Sequence, residues 1–245
     1  MQSGAGTTVP RRFSLQAIVQ VNMERSAIIV AGGSGKRMGA PVPKQFLLLG
    51  GKPVLCRTIE AFRRFDGAMQ LVVVLPTEQI EPWRELCSKH GFTPAHTVVP
   101  GGPERFHSVR EGLRQVRHDG LVAVHDGVRP LVSTELIGRC FEAGATHGGA
   151  IPVVPVPASV REVEGLRSRA VDRSKLRMVQ TPQCFALPLL RKAFELPYDP
   201  AFTDEATLVE RTGASVHLVE GEEANIKITT SVDMVVAEAL LSIPE

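Results

Sequence analysis

The sequence predicts an α/β protein built in three layers, α/β/α, around a mostly parallel sheet. Short β-branched runs recur along the chain, segments of helical period separate them, and the first run ends in a glycine cluster. Strands buried on both faces read as continuous apolar runs. Such a βαβ rhythm puts helices on both sides of a parallel sheet.

Residues 26–31 (SAIIVA) form the first strand. A helix follows across 52–65, with Val54, Leu55, Ile59 and Phe62 at helical spacing. Residues 71–75 (LVVVL) are the next strand. Residues 77–90 read as a helix capped by Thr77, with Glu78 and Glu81 in its first turns. Residues 98–102 lead into a helix across 104–116, and 121–125 (LVAVH) form another buried strand. A helix at 134–145 precedes a strand at 149–156 that Pro152 and Pro155 should break.

Residues 157–176 are polar and charged, with strand character only at 159–163 and 170–173. This segment would add little core. It reads as a projecting β-arm that meets a second subunit, with a disordered loop as the alternative. The α/β pattern resumes at 187–195, 203–212, 215–219 and 231–241, and the chain has no internal repeat. The whole is Rossmann-like.

The 245 residues suffice for one such domain or two small ones, and 43% hydrophobic with 22% charged residues is ordinary for a packed core. The 28 basic and 26 acidic residues leave a net charge of +2, which argues against nucleic-acid or membrane partners. Four scattered cysteines form no CxxC pair, so a reducing cytoplasm is expected. No apolar run approaches the ~20 residues of a membrane span. Residues 1–22 carry only Arg11 and Arg12 as charges and read as a disordered extension, with Met23 opening a domain that continues to 245.

The chemistry is suggested by Ala31-Gly32-Gly33-Ser34-Gly35-Lys36-Arg37-Met38-Gly39, directly after the first strand. Ligands of open parallel sheets bind beyond the strand carboxyl ends, and glycines there let backbone N–H groups approach phosphate. Glycines alone could equally make a turn. Two phosphate motifs fail: Gly35-Lys36 is followed by Arg37 rather than Ser or Thr, and GxGxxG from Gly33 meets Met38. The loop instead gathers Lys36, Arg37 and Lys44. Nucleotidyl transfer needs such cations, because an anionic acceptor attacks an anionic α-phosphate and charge collects on the phosphoryl oxygens. Arg37 and Lys44 are the candidates for that work.

The loop with Pro43-Lys44-Gln45-Phe46 resembles the nucleotide cradle of the 2-C-methyl-D-erythritol 4-phosphate cytidylyltransferases, enzymes of the non-mevalonate route to isoprenoids. The resemblance continues in order through Gly101-Gly102, Arg105, Ser108 and His125-Asp126-Gly127-Val128-Arg129-Pro130. It extends to Val171-Asp172-Arg173, Thr181-Pro182-Gln183, Thr203-Asp204-Glu205-Ala206 and Asn225-Ile226-Lys227-Ile228-Thr229.

The resemblance implies CTP and a polyol phosphate as substrates and Mg²⁺ as cofactor. It implies that the backbone of Ala31, Gly32, Gly33, Ser34 and Gly35 holds triphosphate and cytosine, with Gly102 and Ser108 around the cytidine. Arg37 and Lys44 would stabilise the pentacoordinate phosphorus. Asp126 would be the magnesium ligand and part of the substrate site, although an Asp there could also cap a turn. Arg129 and Lys227 would meet sugar or nucleotide phosphates, Lys227 counting among the catalytic cations. Arg173 and Thr181 would form the acceptor site, with Arg173 on an arm that crosses between the subunits of a homodimer.

Pro103 and Ala158 stand where relatives often carry Asp, and Ser159 where many carry Thr. His125 reads as structural, and Asp204 as a helix cap. A ribitol 5-phosphate cytidylyltransferase, with the same fold and chemistry, is the nearest alternative. A non-catalytic nucleotide sensor fits Arg37, Lys44, Asp126 and Lys227 less well, and a dehydrogenase lacks its motif.

Overall fold

The computed structural model describes residues 23–33 and 42–243. The predicted extension at 1–22 and the loop residues Ser34, Gly35, Lys36 and Arg37 lie outside the described residues.

Strand β1 (Arg25–Val30) is followed by a short β2–β3 hairpin (Leu48–Leu49, Lys52–Pro53) and helix α1 (Val54–Phe65). Next come β4 (Gln70–Leu75), α2 (Ile80–Lys89), β5 (Thr97–Pro100), α3 (Arg105–Leu113), β6 (Leu121–Asp126) and α4 (Thr134–His147). Then follow β7 (Gly149–Pro155), β8 (Val160–Glu164), β9 (Arg167–Val171), β10 (Arg177–Val179) and β11 (Gln183–Ala186). Helices α5 (Leu187–Ala193) and α6 (Glu205–Glu210), strand β12 (His217–Glu220) and helix α7 (Ser231–Leu241) complete the order.

The main sheet has eight strands in the order β10-β7-β11-β6-β1-β4-β5, with β12 also paired to β7. Pairs β1–β4, β1–β6, β4–β5 and β7–β12 are parallel, whereas β10 and β11 run antiparallel to their neighbours. Side-chain alternation divides the core in two. Ala27 and Ile29, Leu71, Val73 and Leu75, and Leu121 and Ala123 face α1, α2 and α4. Ile28, Val72, Val74, Val122 and Val124 face α3, α5 and α6. That division is the predicted three-layer architecture.

Several local expectations change. Strand β7 runs unbroken through Pro152. The Pro152 carbonyl accepts from the Gln180 N–H at 2.8 Å, so the ring nitrogen faces the same side, where β10 has ended and β11 has not begun. The missing donor therefore falls at a gap in the neighbouring strand. Thr77 does not cap the second helix: residues Thr77–Gln79 form a 3₁₀ turn, and no side chain caps the start of α2. Helix α4 begins on a Ser133 cap and ends at Gly148, φ 81°.

Within 157–176, the segment read as an arm, β8 and β9 make a separate two-stranded sheet. Strands β8 and β9 pair from Val160↔Val171 to Glu164↔Arg167, turning at Gly165 (φ 58°) and Leu166. Leu166 is fully exposed and Val163 largely so.

Candidate active site

Loops converge where β1, β4, β5 and β6 end. The Ala31 N–H donates to the Val74 carbonyl (2.9 Å), Gly101 N–H to Leu75 (2.7 Å) and Gly127 N–H to Val30 (2.8 Å). A β-carbon on Gly127 would lie 2.8 Å from that of Ala31, so only glycine lets these two strand ends approach so closely. The cleft beyond them has two halves, of about 280 Å³ and about 210 Å³, and Arg105, Asp126 and Lys227 line both. A larger cavity of about 960 Å³ lies between α1, the start of α4 and the end of α7. It contains none of the predicted site residues, and the chemistry is assigned to the smaller, cationic cleft.

The first half is lined by Ala31, Gly32, Gly33, Lys44, Gly102 and Ser108. Lys44 is 8% exposed and passes over Gly33: a β-carbon there would sit 3.4 Å from Lys44 Cε. It opens a 3₁₀ turn, Lys44–Phe46, anchored by Phe46 stacking on Trp83. The intervening Gln45 donates from Nε2 to the Ala31 carbonyl at 2.8 Å, pinning the cradle's first residue. Ser108 Oγ accepts from the Gly102 N–H at 3.2 Å, so its hydroxyl shapes the glycine pair.

Asp126 is the electrostatic centre. Its Oδ2 meets Arg129 Nε and Lys227 Nζ, each at 3.1 Å, while Arg105 Nε stands 3.8 Å from Oδ1. Burial alone would raise this carboxyl's pKa. The charges of Arg105, Lys227 and Arg129 outweigh burial and hold it well below the usual carboxylate range. Arg105 is itself paired with the buried Glu205. Desolvation works against its charge, but Glu205 and then Asp126 prevail and drive its pKa up.

Behind Asp126 lies a buried polar chain. A carbonyl can only accept, so His125 Nε2 carries the hydrogen given to Arg129 O at 3.2 Å. His125 Nδ1 then accepts from Thr181 Oγ1 (3.0 Å), which in turn accepts from the Asp126 N–H (3.0 Å). Asn225, fully buried, donates to Thr181 O at 2.8 Å and accepts from Arg129 Nη1 at 2.7 Å. The Ile228 N–H, bonded to Val128 O at 2.9 Å, fixes the loop segment that presents Lys227.

His125 is structural, as expected, and gives the fold a pH dependence. Burial pushes its pKa down to about 4, against about 6.5 in an unfolded chain. Between those values the unfolded chain holds a proton that the folded chain refuses, so stability falls as pH drops through the window. The expected loss is roughly 3 kcal/mol between pH 7 and 4. Urea midpoints across that range should fall in the wild type and flatten in His125→Gln. Parallel slopes would acquit His125.

The fold thus unites Ala31, Gly32, Gly33, Lys44, Gly102, Ser108, Asp126, Arg129, Thr181 and Lys227. Arg173 stays apart at the base of the arm, where its guanidinium donates to the Pro157 carbonyl. Asp204 caps α6, accepting from the Thr207 N–H at 2.9 Å. The sequence reading assigned no role to Gln45, Arg105, Glu205 or Asn225. An inward charge such as Glu205 leaves no local signal when it sits in the first turn of a helix, where acids are common anyway.

The fold and its relatives are those of a nucleotidyltransferase. Residues 26–243 match the 2-C-methyl-D-erythritol 4-phosphate cytidylyltransferase family, and the chain belongs to it. The Bacteroides fragilis 2-C-methyl-D-erythritol 4-phosphate cytidylyltransferase is 53% identical, over 89% of this chain and 100% of its own length. The Porphyromonas gingivalis protein of the same name is 47% identical, over 91% and 100%. Among solved structures, the Thermus thermophilus enzyme of that name is 37% identical with a TM-score of 0.74, covering 90% of this chain and 100% of that one. The Anaerococcus prevotii 4-diphosphocytidyl-2C-methyl-D-erythritol synthase is 28% identical with a TM-score of 0.76, covering 90% and 99%. No helix among the described residues is long and apolar enough to cross a membrane.

Proposed function

We propose that the chain transfers CMP from CTP to 2-C-methyl-D-erythritol 4-phosphate, giving 4-diphosphocytidyl-2-C-methyl-D-erythritol and pyrophosphate. The observation that carries this reading is the wall of Arg105, Asp126 and Lys227 common to both halves of the cleft. A transfer between two bound anions needs charge at the point where they meet.

CTP binds in the first half, its phosphates along Ala31 to Gly35 and its cytidine by Gly102 and Ser108. The acceptor lies in the second half, by Arg129 and Thr181. An acceptor phosphate oxygen attacks the α-phosphorus. A P–O bond forms, the α-phosphorus bond to the bridging oxygen breaks, and pyrophosphate leaves with the electron pair. Lys44 and Arg37 hold the charge that gathers on the phosphoryl oxygens, and Lys227 orients the attacking phosphate.

Among the described residues no three His, Cys, Asp or Glu side chains cluster to hold a metal. A lone carboxylate nevertheless fits Mg²⁺, which takes one or two carboxylates plus substrate phosphate oxygens, and Asp126 would supply it. When bound, the ion would act as a Lewis acid on the phosphoryl oxygens.

Arg173 would reach the acceptor from the arm of a second subunit. The exposed Val163 and Leu166 support that role, as does the marginal stability of a lone two-stranded hairpin in water. We place this homodimer in the cytoplasm, where its four free cysteines stay reduced.

The purified protein with CTP and Mg²⁺ should release pyrophosphate with methylerythritol phosphate and not with ribitol 5-phosphate, and should sediment as a dimer. Turnover of ribitol phosphate alone would reverse the acceptor assignment. Full activity in a strict monomer would remove Arg173 from the site.

A further inference from the structure

We propose that Glu205 is a positioning residue for the reaction: by holding Arg105 it keeps the Oδ1 side of the Asp126 carboxylate open to a divalent cation. This rests on the role proposed for Asp126 and deepens it.

Glu205 is 2% exposed at the first position of α6. The helix does not need it there, because Asp204 already provides the cap. A carboxylate is costly to bury unless it is paired, and its one ionic partner among the described residues is Arg105, one hundred positions earlier in the chain. Its Oε1 takes the Arg105 Nη1 hydrogen, while Oε2 is buried without a partner among the described residues. The pair joins the start of α6 to the start of α3, beside Asp126 at the end of β6.

The consequence appears at Asp126, whose two oxygens are treated differently. Oδ2 is occupied by Arg129 and Lys227, both at 3.1 Å. Oδ1 has Arg105 Nε at 3.8 Å, within ion-pair range but beyond hydrogen-bonding distance. Arg105 is drawn towards Glu205 on one side and Asp126 on the other, and Glu205 holds it at the greater distance from Asp126. An Arg fork and a carboxylate favour a two-point contact. With the Glu205 charge removed, the guanidinium is free to close on Oδ1. The only carboxylate among the described residues that lines both halves of the cleft would then be covered on both oxygens.

The test reads metal binding directly, with Mn²⁺ as the probe. Free Mn²⁺ is measured by electron paramagnetic resonance in the presence of a CTP analogue whose α,β bridge is a methylene, so that nothing turns over. Glu205→Gln keeps the shape and loses the charge, and it should weaken Mn²⁺ binding about tenfold, the lower end of the cost of losing an outer-shell partner. The double variant Glu205→Gln/Arg105→Gln removes the cation that would close on Asp126, so it should bind Mn²⁺ at least as tightly as the wild type. A merely structural role for the pair predicts no such rescue.

Unchanged affinity in Glu205→Gln overturns the proposal, and so does weakened affinity in the double variant. If the single variant does not fold, the double variant alone decides. Asp126→Asn separates the two levels. If it binds Mn²⁺ like the wild type, the metal role of Asp126 falls and this proposal with it. If it loses Mn²⁺ while Glu205→Gln does not, only this proposal falls.

Discussion

Lys44→Ala should lower kcat about 10²–10³-fold, the usual cost of deleting one fixed donor to a developing oxyanion. Its stem is packed over Gly33 and its turn is anchored through Phe46 and Trp83, so the ammonium needs no reorganisation when charge develops. An interaction made only in the transition state lowers kcat and kcat/KM by the same factor. CTP binding, measured without acceptor, should therefore change far less than turnover. The thermal midpoint should change little, since Trp83 and Gln45 keep their places. Lys44→Arg should recover only part of the rate, because a β-carbon's width above Gly33 leaves little room for a planar guanidinium. A large rise in KM for CTP with kcat intact would instead make Lys44 a ground-state binder.

The layers of the fold were legible because strands buried on both faces cannot hide. Residues 71–75 and 121–125 could be nothing but central strands, and they flank β1 on its two sides. The cradle was legible because glycines and cations follow the first apolar run, 26–31. Proline was misread at Pro152, where its effect depended on the neighbouring strand: the lost donor faces a gap that only the β10–β11 junction creates. The Thr77 cap failed for a related reason, since a 3₁₀ turn precedes α2 and shifts its start to Ile80. Most of what sequence reasoning missed is long-range pairing. Arg105 with Glu205, Asn225 with Thr181, and His125 with Thr181 each join residues at least 44 apart. Each side chain looked ordinary in its own segment. Arg173 raises a different problem, since its proposed partners lie across a subunit boundary that no single chain contains.

Arg105→Ala should have the largest effect on stability, and that effect should depend on pH. It leaves Glu205, 2% exposed, without its cation. Breaking a buried pair by removing one partner commonly costs 3–5 kcal/mol. About 3 kcal/mol is expected near neutral pH, since the Arg105 side chain is 27% exposed and the site opens onto water in the cleft. Burial already pushes the Glu205 carboxyl upward, and Arg105 opposes that push, so its removal raises the folded pKa further. The folded variant then keeps a proton that an unfolded glutamate releases near pH 4.3. The unfolded chains titrate alike, so stability relative to wild type is best below the pH at which the folded wild-type Glu205, itself raised by burial, ionises. It declines with rising pH at about 1.4 kcal/mol per unit until the folded carboxyl ionises. His125 drives the opposite trend in both proteins, so the difference between their urea midpoints at each pH isolates Glu205. The double variant Arg105→Ala/Glu205→Gln should show no such decline. A flat difference in the single variant would mean that Glu205 remains ionised without Arg105, sustained by water from the cleft.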